Sequence, residues 1–274
     1  MKLIPFRTTL KDGQSVLVRE VTPEDRHLLE IGYNHLSTAS RYFRFLGARR
    51  HLTTRELDSF TSNNGPDHVA VGALFEGMRK PKPVGIARFC RLSDQPEMAE
   101  IAITITDTFQ GQGLGSLLLG VLAKFAKQKG ISEFYALVHR DNMAMLCLLA
   151  RLGGTQTSLG GAEIEVRVPI LRDSTQLSPS SVRDAFMKVD ELADIASSGD
   201  TKLRKRQTSE RQIDRATISQ LTDDPKMLDH TDLRKPFPRA VETRQILQSH
   251  RQKSGFTGAD QSISVWADDG GAIV

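Results

Sequence analysis

The sequence predicts an α/β (α+β) fold, a mixed central sheet flanked by helices, followed by a largely disordered C-terminal extension. Three observations carry that reading. Alternating or β-branched runs of strand length recur through the first 170 residues, as in Val16–Val21 and Ile101–Ile105. Two apolar stretches with helical spacing, Leu114–Lys129 and Met143–Leu152, interleave with the later strands. Of the 16 aromatic residues, only Phe186, Phe237, Phe256 and Trp266 lie beyond position 171, so the last third has little from which to build a core.

Val16–Val21 alternates as a strand, and Thr22-Pro23-Glu24-Asp25 then supplies a cap, a proline at the first helical position and acids in the first turn. Val69–Phe75 and Val84–Cys90 flank the basic, proline-containing segment Arg79–Pro83 and read as a hairpin. Ile101–Ile105 leads into Gln110–Gly115, which reads Gln-Gly-Gln-Gly-Leu-Gly. In the helix that follows, Leu117, Leu118, Val121, Leu122 and Phe125 form a stripe, with Lys124, Lys127 and Lys129 toward its end. Phe134–Val138 is the next strand, and Asn142 opens an apolar helix that stops at Gly153-Gly154. Ala162–Val168 alternates as a terminal strand. Beyond it, Val182, Phe186, Val189, Leu192 and Ile195 form a helical stripe behind a Ser cap at Ser180.

Composition narrows the function. All of the net +4 comes from the first 171 residues, which hold 21 Lys/Arg against 17 Asp/Glu. That suits a phosphate-bearing small molecule and is too small to argue for nucleic acid. The basic run Lys202–Arg206 reads as a solvated cluster. Cys90 and Cys147 both fall in apolar elements, as reduced core thiols of a cytoplasmic protein, and no metal-ligand spacing appears. The N-terminal residues are too short and interrupted for a signal peptide, and no apolar run of about 18 residues could span a bilayer.

The glycine-rich string is the most informative feature. A strand-to-helix turn of this kind exposes unpaired N–H groups at the positive end of the helix dipole, where a diphosphate binds without a cationic side chain. Gln-x-x-Gly-x-Gly is neither a dinucleotide fingerprint nor a P-loop, which needs Gly-Lys-Ser/Thr. It closely resembles the acetyl-CoA pyrophosphate loop of the GNAT superfamily of N-acetyltransferases. Asn142 followed by an apolar helix and Leu-Gly resembles the fourth-helix segment of the same enzymes. Leu36-Ser37, Ser40–Leu46, Leu52-Thr53 and Asp67–Ala70 resemble the GNAT domain of bacterial Pat-type protein lysine acetyltransferases.

The resemblance implies a GNAT domain over residues 14–171. Residues 172–274 are then an extension with one amphipathic helix near 180–197, available for docking a partner. It implies acetyl-CoA as co-substrate and no metal. The strand end Ile103, Thr104 and Ile105 would pair with the pantetheine amides, its N–H near Ile103 polarising the thioester carbonyl. The loop N–H groups of Gln110, Gly111, Gln112, Gly113, Leu114, Gly115 and Ser116 would hold the pyrophosphate, and Asn142 would contact the pantetheine arm. A Cβ at Gly113 or Gly115 would obstruct the phosphate. Glu100 falls where Pat-like proteins carry the catalytic carboxylate, with Glu97 as the fallback; a bulge in the strand would change the face Glu100 takes. Many GNAT enzymes carry a Tyr seven residues after the Asn, where this chain has Leu149. Arg41, Arg44, Asp67 and His68 are open to substrate-binding and structural readings alike.

The leading expectation is an acetyl-CoA-dependent N-acetyltransferase acting on a protein lysine. The alternatives are a small-amine or antibiotic acetyltransferase and an acetyl-CoA-binding regulatory protein without turnover.

Overall fold

The computed structural model describes residues 2–47, 50–61, 65, 67–77, 80–171, 173–193 and 195–196. Its strands are β1 (Lys2–Leu3), β2 (Phe6–Thr9), β3 (Ser15–Glu20), β4 (His68–Phe75), β5 (Lys82–Arg91), β6 (Met98–Ile105), β7 (Glu133–His139), β8 (Thr155–Ser158), β9 (Glu163–Pro169) and β10 (Ile195–Ala196). Its helices are α1 (Arg26–Asn34), α2 (Thr38–Phe45), α3 (Thr54–Thr61), α4 (Leu114–Gln128), α5 (Met143–Arg151) and α6 (Ser181–Leu192). Eight strands form one mixed sheet in the order β2-β3-β4-β5-β6-β7-β9-β8. Every pair in it is antiparallel except β6 with β7.

That parallel pair shapes the molecule. β6 and β7 meet at only three positions, Met98↔Glu133, Ala99↔Phe134 and Glu100↔Tyr135. Past Glu100 both strands continue, but no further partners join them. β7 pairs along its whole length with β9 on its other side, and β6 pairs from Ala99 to Ile105 with β5. The sheet therefore splits, and the split begins at Glu100.

The two faces differ. Ala87 and Phe89 of β5 with Ile101 and Ile103 of β6 are buried in the same core as Leu114, Leu117, Leu118, Val121 and Leu122 of α4. By strand alternation, Ile86, Arg88 and Cys90 of β5 share the opposite face with Glu100, Ala102 and Thr104 of β6. Arg88 reaches Phe60 of α3 from that face. His139 at the end of β7 is buried against Tyr42 and Phe43 of α2, with ring centroids 5.4 and 5.6 Å apart.

Two features depart from the expected elements. The acids after Pro23 do more than start a helix. Asp25 ends a 3-10 turn and makes a buried, two-pronged ion pair with Arg19 at 2.7 Å, while also accepting from the Thr22 N–H. The edge strands β2 and β8, each four residues long, are too short to read from alternation.

Beyond Leu171 the chain rejoins the core. α6 lies on α4, where Leu177, Val182, Val189 and Ala193 are buried. The contact is close: a Cβ on Gly120 of α4 would come within 3.2 Å of Val189 and 3.3 Å of Phe186. Lys188 donates to the Thr9 carbonyl, and β10 pairs antiparallel with β1. The apolar stripe expected to dock a partner thus buries Val182 and Val189 inside the chain itself. The basic run Lys202–Arg206 and everything after Ala196 lie outside the described residues.

Leu177, Val182 and Val189 each contribute ~1.5–3 kcal/mol by burial. We expect a chain ending at Leu171 to melt well below one ending at Ala196 and to bind an apolar dye, with thermal melting and fluorescence as the readouts. Equal melting points would mean that α6 only decorates the fold.

Candidate active site

The segment between β6 and α4 is held from three directions. A 3-10 turn, Asp107–Phe109, buries Phe109 in the core. Asp107 accepts hydrogen bonds from the Ser37 N–H (2.9 Å), the Ser37 hydroxyl (2.6 Å) and the Ser40 hydroxyl (2.9 Å), which ties the turn to the start of α2. Burial pushes the Asp107 carboxyl up, but these hydrogen bonds outweigh it and hold the group below its ordinary range. The Gln110 side-chain amide donates to the Ile105 carbonyl (3.0 Å) and the Ser40 hydroxyl (3.2 Å). Gln110 therefore braces the loop with its side chain, a role distinct from the backbone contact expected of it.

Gly111 and Gly113 adopt left-handed φ values of 73° and 85°, a conformation costly for a residue with a Cβ. Gly113 is the N-cap of α4 and no side chain caps that end, so the first N–H groups of the helix, Leu114, Gly115 and Ser116, have no intrahelical partner. Gly115 is different. Its φ is not left-handed, and a Cβ there would make only ordinary contacts, with Leu148 at 3.6 Å and Ile105 at 4.0 Å. Backbone conformation thus requires glycine at 111 and 113, while at 115 it only leaves room.

Lys11 was not legible as a site residue. It sits in the turn between β2 and β3, its N–H donates to the Gln112 carbonyl at 3.3 Å, and its side chain lies 3.8 Å from where a Cβ on Gly113 would stand. This brings a cation onto the loop from about 100 residues away in sequence. No local pattern signals it.

Ile103, Thr104 and Ile105 occupy the arm of β6 beyond the split. Across the opening, Asn142 caps α5, its Oδ1 accepting from the Met145 N–H at 3.2 Å, which leaves its Nδ2 as the free donor. Leu149 is fully buried in the core, so the place of the Tyr common in GNAT enzymes is apolar here.

Glu100 lies half-buried at the apex of the split, opposite Cys90 on β5 and Tyr135 on β7. No bulge interrupts its register with β5. Glu97 is exposed in the turn before β6, where its carbonyl accepts from Ser132 and Glu133, three residues farther from the loop. Around Glu100, Cys90 Sγ accepts from Arg88 Nη2 at 3.2 Å and lies 3.5 Å from His68 Nδ1. Burial, then the Arg88 charge, pushes His68 down against the pull of Asp67. Arg44 of α2 is pushed down to about 10 by burial and then by Arg88, with Glu100 and Cys90 opposing. Of the residues left open by sequence, Arg44 and His68 reach this face. Arg41 instead stacks on Tyr33 and donates to the Asn34 carbonyl, and Asp67 pairs with Arg91.

The comparisons with known proteins fit this geometry. A family profile described as acetyltransferase (GNAT) domain matches residues 15–155. The chain belongs to the GNAT acetyltransferase family. It is similar to Acetyltransferase Pat of Mycolicibacterium smegmatis, 33% identical over 192 residues that cover 68% of this chain and 56% of that protein. Acetyltransferase PA5475 of Pseudomonas aeruginosa is 33% identical over 145 residues, 53% of this chain and 77% of the other. The GNAT domain of S. lividans PAT superposes with a TM-score of 0.56 at 26% identity, covering 60% of this chain and 96% of that domain. This GNAT chain thus spans little more than half the length of the M. smegmatis relative. Among the described residues no group of His, Cys or carboxylates could hold a metal ion, and no helix is long and apolar enough to cross a membrane.

The Asp107 network yields a pH dependence. A carboxyl with a depressed folded-state pKa contributes stability that is complete above its unfolded value, about 3.9, and fades as pH falls through the folded value. We expect wild type to melt above Asp107→Asn at pH 6–7 and the gap to narrow as pH falls below about 4. A constant gap across that range would mean that the network does not depend on the charge.

Proposed function

We propose that this chain transfers the acetyl group of acetyl-CoA to the side-chain amine of a protein lysine, with Glu100 as general base. The carrying observation is that the sheet splits at Glu100 itself, on the strand that leads into the glycine-rich turn. One opening therefore offers N–H donors for a diphosphate, an unpaired strand edge for an amide-bearing arm, and a carboxylate for a proton.

The diphosphate takes the N–H groups of the Gly111–Ser116 turn, joined by the Lys11 ammonium. The strand edge Ile103–Ile105 pairs with the pantetheine amides, and Asn142 Nδ2 donates from the other wall. A lysine amine with a pKa of about 10.4 is largely protonated at neutral pH and must lose a proton to attack. Its nitrogen forms a bond to the thioester carbon, the C–S bond breaks, and the amine proton passes to Glu100 directly or through one water. With Leu149 where a Tyr would stand, the CoA sulfur leaves as thiolate and takes its proton from solvent, which a thiol pKa of about 8.5 permits. Cys90 is half-buried and Cys147 exposed, so neither is the core thiol expected, but both are free of disulfides, which fits a reducing, cytoplasmic setting. Residues 197–274 remain for docking the protein substrate or a regulator.

Two substitutions separate binding from chemistry. Gly115→Asp adds no backbone strain and places a carboxylate at a helix N-terminus, where it suits the dipole. We expect its melting temperature to hold while calorimetry shows acetyl-CoA binding lost; retained affinity would remove this turn as the phosphate site. Glu100→Gln should keep acetyl-CoA affinity and lower turnover by about 10²-fold or more, erasing the limb of the pH–rate profile due to the base. Normal turnover in that variant would pass the role to another group.

A further inference from the structure

The face carrying Glu100 holds more positive charge than the chemistry of a general base requires. Arg88 lies on β5 two residues from Cys90, the cross-strand partner of Glu100, and its guanidinium turns back toward that row to meet Cys90 Sγ at 3.2 Å. Arg44 arrives from α2. Both guanidiniums sit over the same ring, Phe60 of α3, at 5.6 Å for Arg44 and 4.7 Å for Arg88. Among the described residues no carboxylate lies within salt-bridge distance of either one. Arg88 Nη1 is buried without a hydrogen-bond partner, an arrangement that costs free energy unless something accepts from it.

The neighbouring groups do not supply that acceptor. Glu56, which Arg44 senses, turns its carboxylate to the Thr53 N–H and hydroxyl, and Asp67 is engaged by Arg91. His68 is held toward its neutral form. The carboxylates that bear on Arg44 are Glu100 and, more weakly, Glu56, so the two guanidiniums face them with at most a small positive excess. That matches a monoanion rather than a phosphate dianion, which Glu100 would repel. A carboxylate suits two guanidinium forks by geometry as well as by charge.

We propose that Arg44 and Arg88 form an anion site beside Glu100 that receives a carboxylate carried by the acceptor next to its reacting amine. This rests on the reading of Glu100 as the base of an acetyl transfer. It narrows the acceptor class to amines with a neighbouring carboxylate. The carboxylate comes either from an acidic residue flanking a target lysine or from a free amino acid. Phe60 holds the two forks, and Arg88 Nη1 is the donor that the bound carboxylate satisfies.

The test uses the full chain, acetyl-CoA and matched acceptors, read as thiol release. One arm compares a peptide whose lysine is flanked by Glu with the same peptide carrying Gln; the other compares free lysine with lysine amide. We expect kcat/KM for the carboxylate-bearing member of at least one pair to exceed its neutral match by about tenfold or more. The pair that discriminates identifies the source. Arg88→Gln and Arg44→Gln should each pull that ratio toward one, and thermal melting checks that the variants fold. A wild-type ratio near one in both arms, with clear turnover, overturns the anion site alone and needs no variant. An equal loss for both members of a pair in the folded variants also overturns it. Acetyl-CoA binding by calorimetry with no thiol release from any acceptor overturns the transferase reading and this inference together.

Discussion

The structure depends on a sheet that cannot close. β6 and β7 run parallel for three residue pairs and then separate, each staying paired along its other edge while the chain leaving β6 is drawn away. That chain enters the Asp107–Phe109 turn, which is anchored by a buried Phe109 and by hydrogen bonds to α2. A parted strand keeps backbone donors and acceptors that a closed sheet would consume, and such groups favour a polar ligand over an empty opening. The glycine-rich turn, the Ile103–Ile105 edge and Glu100 all derive their roles from this separation.

The wall that brings chemistry to the opening is the layer of α1, α2 and α3. Its placement traces to the buried Arg19–Asp25 pair, in which one carboxylate also accepts from the Thr22 backbone and fixes the start of α1 against β3. A pair so enclosed, each side chain about 5% exposed, is costly to break from one side and so favours one geometry over others. α2 then contributes Ser37 and Ser40 to the turn, Arg44 to the face of Glu100, and Tyr42 and Phe43 to His139. One short helix thus touches the loop, the proposed base and the far arm of the split.

On the opposite face, α4 is covered by a segment that composition alone would leave outside. Gly120 lets α6 approach α4 closely, and the antiparallel pair of β1 with β10 joins the two ends of the described chain. The helix whose N-terminus frames the proposed phosphate site is therefore held along its length by α6. The stability of α6 and the position of the glycine-rich turn are linked through α4, a physical connection that composition does not reveal.

What the sequence determined by itself is what local chemistry determines. The strands Val16–Val21, Val69–Phe75, Val84–Cys90 and Ile101–Ile105 and the two central helices follow from periodicity and caps, the mixed sheet from their order and the family resemblance, and all appear in the structure. The Gln110–Gly115 turn was legible because its glycines answer to backbone conformation, a property of single residues. Glu100 was legible only through resemblance, since nothing local distinguishes a strand carboxylate that takes a proton from one that is solvated. Only the tertiary structure decided the rest. Lys11 comes to the turn by a hairpin far away in the chain, and the Val182–Val189 stripe is spent on α4. Arg44 and Arg88 meet over Phe60 because three elements distant in sequence converge on one face. Charge and hydrophobicity can be counted along a chain, but the partners that give them meaning are set by strand order and helix packing, which act across the fold.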